Sequence, residues 1–320
     1  GMGFGGGGGG GGGGKAGDAG PKSPAKKLGP SGKEAARLNE IVNEDGVVLI
    51  PNVLERDAAA ELRECVLDEI EVSREAVRVD PAVSVRHFNA PVETHDPLRG
   101  YVLLPFVDSA SVAAGDVEGG PMVNAMRRLL RPGTVLGDLF ESACGGDADR
   151  AVFYDWTVLR TEAGARRQPV HYDTGHQDIP GLFCAFVALQ DVTEEMGGTM
   201  FFPRTQTPTE ERLKYDSSDK DEQLRDEFLK EARPQYALLK AGDAAFFDMR
   251  VLHAGLPNMK AEEGGKKRII LAVTFCNPAA TEELGHKSNM RQGYVGKYTM
   301  NDLRRELASS EPFALAGDGL

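Results

Sequence analysis

The 320-residue sequence predicts a mainly β fold, a barrel or sandwich, with helices packed in front of it. Two observations carry this. From Ala151 onward the chain is a succession of short, apolar, β-rich segments separated by turn residues, and before that point the apolar residues recur at helical spacing.

Taken in order, residues 1–33 hold 16 of the 39 glycines and read as a disordered, Gly-rich, low-complexity leader. Residues 33–45 (KEAARLNEIVNED) bring Ala36, Leu38, Ile41 and Val42 near one helical face, and Gly46 ends the pattern. GVVLIPNVL (46–54) is a strand running into Pro51, and residues 55–77 form a longer helix through Leu62, Val66, Ile70 and Val77. Residues 78–120 are rich in Pro, Gly and Asp and read as loops with a strand around YVLLPFV, and 121–133 is a helix stopped by Pro132-Gly133. The β-rich run follows: AVFYDWTVLR, VHYDTG, LFCAFVALQDV, GGTMFFP, YALLKAG, DAAFFDMRVLHAG and RIILAVTFC. A charged helical insertion at 208–234 interrupts it, and a C-terminal extension, 285–320, contains one helix, TMNDLRRELASS. The main domain is therefore expected to span 34–284.

Composition narrows the function. The net charge is −12, and the leader contributes five lysines against one aspartate, so residues 34–320 carry −16. An acidic body lacks the basic stripe that a phosphate backbone requires, which argues against nucleic acid as a partner. The four cysteines (Cys65, Cys144, Cys184, Cys276) form no CxxC pair, and no apolar run reaches the ~18 residues of a membrane span. The expectation is a cytoplasmic protein without disulfides or membrane contact.

The chemistry gathers in three places. His171-Tyr172-Asp173 lies in an expected strand, where residues i and i+2 share a face, so both side chains reach one point. Taken singly, such a triplet carries little weight. In 242–253 the alternation places His253 on the same face as Phe247, Met249 and Val251. Arg268 then opens the otherwise apolar RIILAVTFC, and a guanidinium on the buried side there requires an anionic partner. Two imidazoles and one carboxylate make a borderline N,N,O donor set that leaves three octahedral positions of Fe(II) open, whereas structural zinc prefers four closed ligands.

His171-x-Asp173, FCAFVALQDVTEEMGGTMFFPRTQT (183–207), AGDAAFFDMRVLHAGLPN (241–258) and Arg268, in that order, resemble the phytanoyl-CoA dioxygenase-like branch of the Fe(II)/2-oxoglutarate-dependent oxygenases. The resemblance extends over residues ~34–280. It implies a double-stranded β-helix, a cupin-like jelly roll. It also implies that His171, Asp173 and His253 ligate iron and that Arg268 meets the distal carboxylate of 2-oxoglutarate. Phe186 stands where the family often sets an aromatic residue against the co-substrate, and Arg160 where a basic residue joins its carboxylate cluster. The implied reaction consumes O2 and 2-oxoglutarate, with ascorbate as an optional support, and releases succinate and CO2. A C–H bond of a small molecule is hydroxylated, desaturated or cyclised. A fatty-acyl-CoA 2-hydroxylase and a non-catalytic cupin-like binding protein are the alternatives. Two departures stand out: Pro203-Arg204-Thr205-Gln206 replaces the family's Pro-Gly-Ser/Thr-His, and no Ser or Thr follows Arg268 before Thr274. Asp173 is retained, which disfavours halogenation. In the loop-rich region, Arg86, His87, Asn89, His95 and Arg99 are candidate substrate contacts, and His176 reads as a turn residue.

Overall fold

The computed structural model describes residues 30–89, 96–116, 120–175, 177–217, 222–280, 283–310 and 312–313. Most of the leader, together with His95 and His176, lies outside the described residues. In chain order the elements are α1 (Pro30–Asp45), β1 (Val47–Ile50), α2 (Arg56–Val79), α3 (Ser84–His87), β2 (Arg99–Leu103), α4 (Ser109–Ala114), α5 (Pro121–Leu130) and α6 (Val135–Ala143). There follow β3 (Val152–Thr161), β4 (Leu182–Ala188), β5 (Thr199–Phe201), α7 (Glu210–Ser217), α8 (Glu222–Glu231), β6 (Gln235–Ala237), β7 (Ala244–Asp248), β8 (His253–Gly255), β9 (Arg268–Cys276) and α9 (Met300–Ala308).

The strands form two antiparallel sheets. The larger has the order β1-β7-β4-β9-β3-β2 and the smaller β6-β5-β8. Two sheets with helices outside them are the layers that a cupin-like jelly roll needs. Alternation along the central strands divides the interior in two. On β9, Ile269, Leu271, Val273 and Phe275 belong to the large core shared with the helices, while Ile270 and Ala272 belong to a second cluster with Phe186, Phe201 and Phe247. The apolar run of β9 is thus explained by burial on both faces, which a half-exposed strand would not need.

The helical core draws on distant parts of the chain. Leu38 and Val42 of α1, Leu62, Val66 and Ile70 of α2, and Leu136, Leu139 and Phe140 of α6 are all buried there. So are Met290, Tyr294, Leu303 and Leu307, and the Tyr294 ring stacks on Phe106 with centroids 3.8 Å apart. Thr299 caps α9, its hydroxyl accepting from Asp302 N while the Asp302 carboxylate accepts from Thr299 N. Among the described residues no helix is long and apolar enough to cross a membrane.

Two local expectations are corrected. Residues 242–253 are not one strand: β7 ends at Asp248, residues 249–252 turn, and β8 begins at His253 in the other sheet. The turn is fixed by Asp248, whose Oδ1 accepts from Arg250 N at 3.0 Å, so continuous alternation fails across it. VHYDTG is likewise no strand. His171 makes an isolated bridge to His253, and beyond Tyr172 the backbone amides of Asp173 and Thr174 both donate to the Met249 carbonyl. Pro169 before the bridge and Gly175 after it limit the pairing.

Candidate metal centre

His253 opens β8 and is almost fully buried, its ring set between Phe201 and Phe247 at centroid distances of 5.7 and 5.3 Å. The bridge His171↔His253 places the first histidine beside it, ring centroids 4.5 Å apart, with reciprocal backbone bonds of 3.0 and 2.8 Å. Asp173 completes the group: its Oδ1 is 3.7 Å from His171 Nε2, and its Oδ2 is 3.5 Å from His253 Nε2. The ligating atoms of the three residues all lie within 4.8 Å of one another, which no other trio of His, Cys, Asp or Glu does among the described residues.

The tautomers follow from the backbone. His171 Nδ1 is 2.9 Å from the Pro169 carbonyl and His253 Nδ1 is 3.0 Å from the Val251 carbonyl. A carbonyl only accepts, so both Nδ1 atoms carry the proton and both Nε2 lone pairs point at the shared centre. Burial lowers the His253 pKa to about 4, against the opposing pull of Asp173, so its ring is neutral near pH 7, the form that binds a metal.

The cavity beside the trio is lined by His171, His253, Phe186, Arg99, Thr161 and Arg268, among others. Arg268 is buried at the start of β9. Its Nη2 donates to Thr161 Oγ1 at 3.3 Å and its Nη1 to the Met196 carbonyl at 3.4 Å, while its buried Nε has no partner. Desolvation, with the Arg99 charge as a second cause, lowers its pKa to about 9. Among the described residues Arg268 thus has a vacant buried donor and no carboxylate in ion-pair reach, a state that a buried guanidinium does not favour.

The structure treats the two accessory residues differently. Phe186 lines the cavity, its ring T-shaped against Phe247 at 4.9 Å. Arg160 contributes to the cavity wall, but it pairs with Ile269 across the sheet, one position off the Thr161↔Arg268 pair, so its side chain leaves β3 on the other face. There it meets Glu162 at 2.9 Å. The cation aligned with Arg268 is instead Arg99, opposite Thr161 on β2. Thr161 brings a hydroxyl beside Arg268, where the residues that follow Arg268 in sequence offer none before Thr274. The sequence marks Arg99 as a candidate substrate contact and Thr161 not at all; their alignment with Arg268 is hidden by sequence distance, since they reach it across strands. Arg204, in place of the family's glycine, adopts φ +67°, the left-handed conformation a glycine serves there, and is held by Asp45 and Glu44 at 2.8 and 2.9 Å.

Comparison with known families agrees with this geometry. The family model described as phytanoyl-CoA dioxygenase (PhyH) matches residues 42–262, a stretch that contains all three clustered side chains. The chain belongs to the phytanoyl-CoA dioxygenase family. Arg268 lies beyond the matched residues, so its place rests on the register of β9. Among solved structures, EctD from S. alaskensis, determined with 2-oxoglutarate and 5-hydroxyectoine, aligns with a TM-score of 0.50 at 14% identity over 82% of this chain and 84% of that one, a likeness of fold. AviO1 from Streptomyces viridochromogenes Tue57 aligns at 0.48 and 20% identity over 78% and 97% of the two chains. The carbocyclase SnoK from nogalamycin biosynthesis aligns at 0.45 and 17% over 88% and 95%. No curated protein matches the chain.

Proposed function

We propose that the protein is an Fe(II)/2-oxoglutarate-dependent oxygenase that oxidises a C–H bond of a small molecule, with His171, Asp173 and His253 as the iron ligands. The observation that carries this reading is the convergence of two Nε2 lone pairs and one carboxylate on a common point, beside a buried guanidinium whose Nε is unpartnered. The donor set fits iron with open positions better than closed structural zinc. When bound, iron and 2-oxoglutarate together supply the oxidising chemistry: O2 is consumed, the 2-oxo acid becomes succinate and CO2, and the substrate C–H bond is oxidised.

The chain's own contribution is placement. The Pro169 and Val251 carbonyls hold the two imidazoles in their binding tautomers, and the paired backbone amides on the Met249 carbonyl set the orientation of Asp173. Arg268 holds the distal carboxylate of the co-substrate and Phe186 packs against its carbon chain, on the apolar side of the cavity. Purified protein supplied with Fe(II), ascorbate, 2-oxoglutarate and a metabolite pool is expected to form succinate above a His171→Ala control. Mass differences of +16 or −2 in the product separate hydroxylation from desaturation or cyclisation. Turnover unchanged in His253→Ala overturns the assignment.

A further inference from the structure

A second cleft, of about 630 Å3, is lined by α2 and α4 and shares no lining residue with the cavity at the metal centre. Its walls carry five carboxylates, Glu61, Asp68, Glu69, Asp108 and Asp116, and no lysine, arginine or histidine among the described residues. Glu69 and Asp108 are buried, each 2% exposed. One oxygen of each is committed: Glu69 Oε1 accepts from Ser109 N, and Asp108 Oδ1 accepts from Ser111 N at 2.8 Å as the cap of α4. The other oxygens, Glu69 Oε2 and Asp108 Oδ2, accept no hydrogen bond. Arg291 Nη2 stands 3.8 Å from Glu69 Oε2, and no cation comes as close to Asp108 among the described residues. The Cys65 thiol between them feels the same excess, since burial raises its pKa and the charges of Asp108, Glu69 and Asp68 add to the rise. Buried carboxylates without a counter-charge are unfavourable, and a bound cation relieves them.

The kind of cation follows from the spacing. No three of these acids bring oxygens within 4.8 Å of one another, as the ligating atoms of His171, Asp173 and His253 do, so they do not converge as a metal ion requires. Between the acids the walls are apolar, with Cys65, Val72, Ala110, Ala114 and Pro121, a surface that methylene groups cover. The volume falls in the range of small-molecule sites, about 300–1,000 Å3. We propose that this cleft binds a small aliphatic polyamine, its ammonium groups on the carboxylates of Asp68, Glu69 and Asp108 and its methylenes against Val72 and Ala114. The site does not depend on the co-substrate reading given above.

The test is calorimetric titration of the full chain with spermidine at low ionic strength. Wild type is expected to bind it saturably, with an affinity that falls as salt is added. Asp108→Asn keeps the cap acceptor and Glu69→Gln keeps the acceptor for Ser109 N, and each is expected to weaken spermidine about ten-fold. Asp68→Asn, on the exposed part of the wall, is expected to weaken it about two- to five-fold, and carries the test if thermal midpoints show that a buried variant does not fold. Glu75→Gln removes the same charge from α2 outside the cleft and is expected to leave the affinity within about two-fold. No binding by wild type, or equal weakening by Glu75→Gln and the cleft variants, overturns the site. Titration with magnesium chloride is expected to show no binding that depends on Asp108; saturable magnesium binding lost in Asp108→Asn overturns the choice of an amine over a metal ion.

Discussion

Arg250 is the residue whose removal tests how the centre is held. Its guanidinium closes on Asp248, with Nε 3.0 and 3.1 Å from the two carboxylate oxygens and Nη2 2.6 Å from Oδ2, and its Nη1 donates to the Gln177 carbonyl at 2.5 Å. Both side chains are buried. The pair clamps the turn between β7 and β8, whose Met249 carbonyl orients Asp173 and whose Val251 carbonyl orients His253. Arg250→Met leaves the Asp248 carboxylate uncompensated in the interior, a loss of about 3–5 kcal/mol. Because the turn also positions two of the three clustered side chains, metal affinity is expected to fall about 10- to 100-fold. Urea unfolding of the metal-free protein measures the first effect and metal titration the second. The double variant Asp248→Leu/Arg250→Met replaces the ion pair by apolar groups and is expected to recover most of the stability. A single variant that loses less than about 1 kcal/mol, or a double variant no more stable than the single, refutes the claim that the pair's charges are what hold the turn.

Three further outcomes are expected. In Gly255→Ala the new Cβ would lie 2.4 Å from Gln168 Oε1 and 2.8 Å from Arg99 Nη1, so the cavity wall must shift and the thermal midpoint should fall; an unchanged midpoint would show that both side chains yield freely. Burial would lower the His286 pKa, but the Asp155 carboxylate 3.5 Å away outweighs it and the pKa is raised overall. The stabilisation is thus full below the ordinary histidine value and fades as pH rises through the raised one, so the deficit of His286→Gln should shrink from pH 6 to pH 9 in denaturant titrations, and a deficit that grows contradicts it. Tyr294→Ala removes the ring stacked on Phe106 and should cost about 3–5 kcal/mol, as for a large core aromatic, whereas a loss under about 1 kcal/mol would detach the C-terminal segment from the core.

How much of this was legible in the sequence depends on the range of the interaction. The helical faces of α1 and α2 and the two-sided burial of β9 are local patterns and appear in the string as written. The segment 135–143 is not among the expected helices, although α6 has Thr134 as its N-cap, because Gly137 and the short apolar run obscure its period. Alternation carried through residues 249–252 points His253 inward, although the chain turns there. The inward placement survives because the turn passes the strand to the facing sheet, where the residue again meets the interior. Arg160 shows the opposite case: its position in the sequence is near that of Thr161, but one step along a strand reverses the face. Arg99 stands 169 positions before Arg268 and only pairing through β3 brings them into one row.

Charge shows most clearly what composition leaves out. Residues 34–320 carry −16, yet this sum describes the surface, where ionic screening confines each charge to about 10 Å. Inside the cavity the balance has the other sign, because Arg99 and Arg268 face it without a carboxylate between them and Arg160 is paired with Glu162. On the reading proposed here, the distal carboxylate of a 2-oxo diacid meets Arg268 in that cationic setting. The field that remains comes from Asp173, which acts on Tyr101 and His286, and from Asp155 beside them. The coenzyme A esters of the alternative reading carry phosphates that need cations of their own, and residues 34–320, with a net charge of −16, offer few in excess, which is the electrostatic argument against that alternative.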